Sequence, residues 1–244
     1  SASPPLGIVW VNDALASVML VTISFLASLC LLYSGPLSPA TEKPRIVPYY
    51  ALILLLISAL TGIVFAGDIF NVFVFLEVAA LSAYALVALA GGRALIAAFR
   101  YLILGTLGST FYLLGVVFFY ATTGTLNMAE MNQQFIAAPE LLHSKAVVGG
   151  MTFLFLGLGI KMALFPLHAW LPGAYTRAPD AISPLLAGLM TKVALYGCVR
   201  ILFWGLAAGK LLEPVPALTL LGRLGMLAAL AGSLLALAQQ ELKR

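Results

Sequence analysis

Three ionisable side chains stand inside runs that otherwise read as lipid-spanning. They are Glu77 in GDIFNVFVFLEVAALSAYALVAL, Lys161 in LGLGIKMALF and Lys192 in LMTKVALYG. A charge at the centre of a spanning helix costs about 3 kcal/mol to insert, so each of them needs a reason. A carboxylate at that depth can carry a proton, and a neighbouring cation tunes its ionisation; a desolvated lysine can release one. A plain helix-packing hydrogen bond, or a span placed differently so that Glu77 sits at an interface, is the structural alternative for Glu77. Pro166 follows Lys161 five positions later. Its ring removes one helical donor and frees the carbonyl of Met162, so one turn offers both a titratable amine and an open carbonyl. Changing the distance between that amine and an opposing acid such as Glu77 would gate the proton. Lys192 reads as a second buried amine. It cannot share Glu77 if Lys161 already does, so it requires water or another acid. His168 follows Lys161 by seven positions and would share its face if the helix continued. A relay member and an interfacial histidine are equally open readings for it.

The elements that must position these groups follow from composition. The chain of 244 residues is 62% hydrophobic and 9% charged, with a mean hydropathy of +1.07. Soluble domains carry about 25% charge, so this is a membrane protein. Seven runs reach the length of about 20 mainly apolar residues that a spanning helix needs. They lie at about 14–34, 47–66, 69–90, 98–121, 147–168, 181–206 and 216–238. No alternating ten-residue strands are present, which disfavours a β-barrel. The expected fold is therefore an all-α polytopic membrane helix bundle. Between Lys161 and Lys192, Pro166, Pro172, Pro179 and Pro184 break the helical pattern. Broken helices at membrane depth are tolerated only where they are buried in protein or line a cavity.

Orientation is read from Lys and Arg in the loops. Lys43, Arg45, Arg93, Arg100, Arg177, Lys243 and Arg244 fall on one side, against Lys145, Lys210 and Arg223 on the other. This places the start of the chain outside the cytoplasm and its end inside. Asp68 is placed to cap the third span, and Glu77 then lies roughly 14 Å into a core about 30 Å thick. Lys161 lies about 21 Å into the fifth span and Lys192 about 17 Å into the sixth. All three charges fall near the middle third of the membrane.

Other residue classes point away from different chemistries. Cys30 and Cys198 lie in apolar runs and suggest neither a disulfide framework nor a metal site. His143 and His168 have no cysteine nearby, so zinc is not expected. GLGIK lacks the strand-before-helix context of a nucleotide loop. No Ser-His-Asp or cysteine-based site is evident, and no place for NADH, flavin or an iron–sulfur cluster. The excess of 13 Lys+Arg over 9 Asp+Glu reports topology rather than nucleic-acid binding. In the fourth span, Gly105, Gly108 and Ser109 permit close helix packing. The hydroxyls of Thr106, Ser109 and Thr110 are read as bonding back to their own helix in preference to lining a water wire. Arg200 is expected to meet a polar group or the interface, and Trp170 and Trp204 to fit interfacial belts.

The segment KMALFPLHAWLPGAYTRAPDAISPLLAGLMTKVALYG closely resembles the proton-antiporter membrane domain. That domain is shared by Mrp-type cation/proton antiporter subunits, antiporter-like subunits of respiratory complex I and membrane-bound hydrogenases. GDIFNVFVFLEV resembles the family's glutamate-bearing helix, and YLILGTLGSTFYLLGVVFFYATTGTLNM is similar to its next helix and loop. The detailed wording looks most like the D-type members found in Mrp antiporters.

The resemblance implies roles: Glu77 as the key carboxylate, Lys161 as the lysine on the broken helix, Lys192 as the connecting lysine. It implies inverted five-helix repeats, one of them at about 47–206. Full members carry about twice as many spans, so the chain, a single transmembrane domain over 1–244, is expected to be a fragment of a longer subunit. The expected function is proton translocation in a multisubunit Na+/H+ antiporter of the cell inner (plasma) membrane. Its partners would be other subunits of that assembly, the bilayer, protons and Na+, with no cofactor. The same module in an NADH–quinone oxidoreductase or hydrogenase, and a non-conducting scaffold, are the alternatives.

Overall fold

The computed structural model describes residues 8–37, 46–206 and 217–239. Lys43, Arg45, Lys210, Lys243 and Arg244, on which the expected orientation partly rests, lie outside the described residues. Within them the molecule is a bundle of helices with no strand. The helices are α1 (Ala14–Leu37), α2 (Ile46–Phe65), α3 (Ile69–Ala88), α4 (Arg93–Thr123), α5 (Met128–Ala137), α6 (Lys145–Lys161), α7 (Leu171–Arg177), α8 (Ile182–Gly205) and α9 (Ala217–Leu237). Of these, α1, α2, α3, α4, α8 and α9 are long and apolar enough to cross a membrane.

The fifth expected span is the one that differs. It leaves the helix at Lys161, not at residue 168, and α6 is 17 residues long. The physical reason is local. Ala163 takes a left-handed φ of 54°, and the Leu164 amide bonds back to the Gly159 carbonyl at 2.8 Å. Proline then cannot donate to resume the ladder. The chain turns through residues 162–170 and becomes helical again only in α7.

The height of α3 is fixed at one end of the bundle. Asp68 occupies its N-cap, with φ −134° and ψ 153°, and accepts from the Asn71 amide at 2.6 Å. This satisfies a donor that has no partner within the helix. The α2–α3 connection is clasped from both sides. The Gly67 amide bonds to the Val9 carbonyl at 2.9 Å, and the Met128 amide bonds to the Gly67 carbonyl at 3.0 Å. The strap at residues 9–13 and the start of α5 thus hold α3 in register.

The seam between α4 and α6 is set by glycine. A Cβ at Gly157 would stand 2.5 Å from the Gly108 carbonyl and 2.6 Å from the Tyr112 amide; one at Gly115 would stand 2.7 Å from Leu154. Only hydrogen fits there, and close backbone approach of this kind is how helices associate in lipid. The buried core runs through α2, α3, α4, α6 and α8 and includes Leu56, Leu60, Ile63, Leu86, Val116, Leu154, Leu185 and Leu189. In contrast, α9 has no buried residue in its apolar stretch. An apolar cavity of about 870 Å³ lies between it, α6 and the break at residues 164–167.

Candidate functional site

At the broken end of α6, the Lys161 ammonium meets the Glu77 carboxylate of α3, with Nζ 3.1 Å from Oε1. The lysine side chain is 5% exposed and the glutamate 29%. Lys161 is therefore enclosed, whereas Glu77 is half-buried and reaches the bundle surface. An enclosed ammonium is tolerable only when it is paired and its remaining donors are satisfied. The end of α6 supplies a second favourable field, since a cation in the last turn complements the helix dipole.

A third group joins the pair. Ser109 of α4 donates its hydroxyl to the same Glu77 Oε1 and also to the carbonyl of Gly105, 3.1 Å away. Among the described residues Oε2 of Glu77 has no hydrogen-bond partner. One carboxylate oxygen is thus held by two donors and the other is left for a proton or water. The reading that the hydroxyls of α4 bond back along their own helix describes Thr106 and Thr110, at 2.7 Å and 3.0 Å from the carbonyls of Leu102 and Thr106. For Ser109 it is half of the description.

The break is supported from behind by Trp170. Its indole donates to the Ile160 carbonyl at 2.9 Å, an acceptor in the last turn of α6 that also takes the Ala163 amide at 3.1 Å. Its ring stacks on Tyr101 at 4.1 Å, and Tyr101 stands edge-on to Tyr84 at 4.5 Å. Trp170 is consequently a buried residue and not part of an interfacial belt.

Two predicted site residues lie apart from this cluster. Lys192 is exposed, and its ammonium donates to the Ala187 carbonyl at 2.8 Å. It is not a second buried amine. The reason is a π-helical turn at Leu186–Met190, just before it. A π turn takes an extra residue and rotates everything after it, so Lys192 swings to the outer face. His168 shares no helix face with Lys161, because α6 has already ended. Its ring lies against Phe165 at 5.4 Å, and its Nδ1 is buried without a hydrogen bond among the described residues.

A second carboxylate–cation pair sits at the end of the bundle. Arg200 of α8 donates to Asp13, which caps α1 by accepting from the Ala16 amide at 2.9 Å. The guanidinium lies over the rings of Trp204 and Tyr196, at 4.8 Å and 5.5 Å from their centroids. Sequence reasoning left Arg200 without a named partner and did not single out Asp13. The available signal was that each is a lone charge in apolar surroundings. Among the described residues, no group of three His, Cys, Asp or Glu side chains is placed to hold a metal ion.

Comparison with known proteins places this geometry in context. Residues 66–244 match the family described as NADH:quinone oxidoreductase/Mrp antiporter, TM. The chain is 44% identical to the N-type subunit of the NADH-quinone oxidoreductase of Desulforudis audaxviator, over 99% of this chain and 47% of that protein. It is 36% identical to the D-type subunit of the Na(+)/H(+) antiporter of Bacillus subtilis, over 81% of this chain and 39% of that protein. Among solved structures, it superimposes on a chain of the membrane-bound sulfane sulfur reductase, an archaeal respiratory membrane complex. That match has a TM-score of 0.75 and 35% identity, covering 83% of this chain and 40% of the other. The chain spans less than half the length of each of these relatives.

Proposed function

Because the chain belongs to the NADH:quinone oxidoreductase/Mrp antiporter transmembrane family, we propose that it is the proton-translocating part of a membrane subunit in a multisubunit monovalent cation/proton antiporter. The observation that carries this reading is the Lys161–Glu77 ion pair at 3.1 Å, set where α6 breaks. Ionised Glu77 compensates the enclosed ammonium. When Glu77 takes up a proton, that compensation is lost, and an uncompensated ammonium in low dielectric is strongly disfavoured. Lys161 then passes its proton on. Protonation of one member and release from the other are coupled through a single contact, and separating the two groups would gate the step.

Residues of about 47–206 form one five-helix repeat on this reading: α2, α3, α4, the broken α6–α7 element and α8. Repeats of this kind place broken helices at the transport site. Lys192, on the outer face, is the group that hands the proton beyond the repeat, with His168 as a further relay beside the break. The strap end faces outside and the α3–α4 turn, with Arg93 and Arg100, faces the cytoplasm. The assembly is an antiporter complex of the plasma membrane that moves Na+ or another monovalent cation, with other membrane subunits as partners.

A second reading sets the same module in a redox-driven complex of the NADH–quinone oxidoreductase kind. It draws on the 44% identity to the oxidoreductase relative over 99% of this chain. The two readings share the proton step and differ in what drives it.

The test is proton movement by the full-length subunit in its native complex, reconstituted in vesicles containing a pH-sensitive dye. Glu77→Gln should assemble normally and abolish movement. Normal movement in that variant would remove the proposal. Movement in the wild type driven by an added cation gradient supports the antiporter, and movement driven by quinone reduction supports the second reading.

A further inference from the structure

The hydroxyl of Tyr84 is a buried polar group that makes no hydrogen bond among the described residues. Tyr84 lies on α3 seven residues beyond Glu77 and so on nearly the same face. The residue is 6% exposed, and its hydroxyl has no hydrogen-bond partner among the described residues. Buried hydroxyls without partners are rare and call for an explanation such as an ordered water. This one lies close against the backbone of α4. Gly105 of α4 faces it, and a Cβ built there would overlap the tyrosine oxygen. The ring is held by Tyr101 behind it, so the hydroxyl cannot easily swing elsewhere.

Gly105 is one turn from Ser109 on α4, an axial distance of about 6 Å. Ser109 already touches Glu77 Oε1. The Gly105 carbonyl accepts from Ser109 at 3.1 Å, so the backbone beside Tyr84 and the serine on Glu77 are joined through one turn of α4. An ordered water here would have the Tyr84 hydroxyl, the Ser109 hydroxyl and the open Oε2 of Glu77 as partners, within the two to four that a buried water requires. Tyr112, three residues beyond Ser109, has committed its hydroxyl to the Ile69 carbonyl at 2.9 Å.

We propose that Tyr84, Ser109 and the glycine notch at Gly105 form a hydration site that relays protons between the α3–α4 end of the bundle and Glu77. This rests on the proton-translocating reading given above. On the orientation given there, Tyr84 is the cytoplasmic relay to the carboxylate. Phenol and serine hydroxyls each both donate and accept, so a proton passes by donation at one lone pair and release of the original hydrogen, without net charge remaining on either group.

The experiment measures proton flux in vesicles by the native complex carrying Glu77→Gln, Tyr84→Phe, Ser109→Ala or Gly105→Ala. Tyr84→Phe should leave assembly and melting temperature unchanged and lower flux by about tenfold or more. Gly105→Ala, which fills the notch with a methyl, should lower flux similarly with the hydroxyl still present, and adding Tyr84→Phe to it should cause little further loss. The carboxylate stretching bands of Glu77 should shift in Tyr84→Phe, a change that a purely packing role would not produce. Flux within about twofold of wild type in Tyr84→Phe, with Glu77→Gln inactive, overturns the relay and leaves the proton function standing. Full flux in Glu77→Gln overturns both. Failure of Tyr84→Phe to assemble also overturns the relay, since a hydroxyl without a protein partner has no packing role to lose.

Discussion

Lys161 and Arg200 are both cations enclosed in apolar helices, and each meets one carboxylate. Their side chains are 5% and 2% exposed, and the partners Glu77 and Asp13 are each 29% exposed. The surroundings separate them. Arg200 is braced by two aromatic rings and tied to a cap residue at the end of the bundle. Its guanidinium does not lose its proton in proteins. Lys161 ends a broken helix, shares its acid with a serine, and is an amine that can be neutral. On the proposed reading, burial and pairing alone do not make a transport site: it also needs a titratable cation, an acid with a spare oxygen, and backbone that is not locked into a continuous helix.

The comparison can be broken most forcefully at Arg200. Arg200→Ala should destabilise the subunit by about 3 kcal/mol, because the strap loses its anchor and the carboxylate its partner. Unfolding in detergent would measure this, and the fraction that remains assembled should still move protons. A smaller effect is expected at the glycine seam. Gly157→Ala forces α4 and α6 apart and should cost about 1–3 kcal/mol. It should also weaken proton movement, since Ser109 and Lys161 reach Glu77 from those two helices.

Acid sharpens the contrast further. Burial raises the pKa of Asp13, but its hydrogen bonds to Arg200 and the Ala16 amide, and the Arg200 charge, outweigh that and hold it below its ordinary value. The contribution of the ionised form is complete above about pH 4, where an unfolded aspartate is charged. It is lost as pH falls through the lowered folded value. The stability difference between wild type and Asp13→Asn should shrink by on the order of 1 kcal/mol between pH 7 and pH 3. The smallest effect is expected at Lys192. Lys192→Ala should change unfolding by no more than about 0.5 kcal/mol, because the ammonium is exposed. Any larger loss in proton movement would then report its role as the connecting group.

The helices were legible because apolar runs of spanning length leave few other options. A break between Lys161 and Lys192 was legible from its four prolines, but its position was not: the span was drawn to residue 168, whereas α6 ends at Lys161. Glu77 and Lys161 could be set at similar depth from helix rise alone. Sideways placement was harder. Whether Ser109 or Thr110 faces Glu77 depends on the rotation of α4, which the glycine contacts with α6 decide. Lys192 was read as buried from its depth along the span alone, which does not say which way it faces, and the π turn at Leu186–Met190 turns it outward. Asp13 and Arg200 are 187 positions apart, and no local pattern links them. Tyr84 read as one more apolar residue of α3, since only its missing partner distinguishes it.

The central claim is that Lys161 works by giving up its proton, whereas Arg200 works by keeping its own. The most direct measurement is proton movement in vesicles by the native complex carrying Lys161→Arg, with Arg200→Lys beside it. Arginine retains the charge opposite Glu77 but cannot become neutral. The expected result is normal assembly with no proton movement in Lys161→Arg, and lowered stability with retained movement in Arg200→Lys. Wild-type proton movement in an assembled Lys161→Arg complex would contradict the claim.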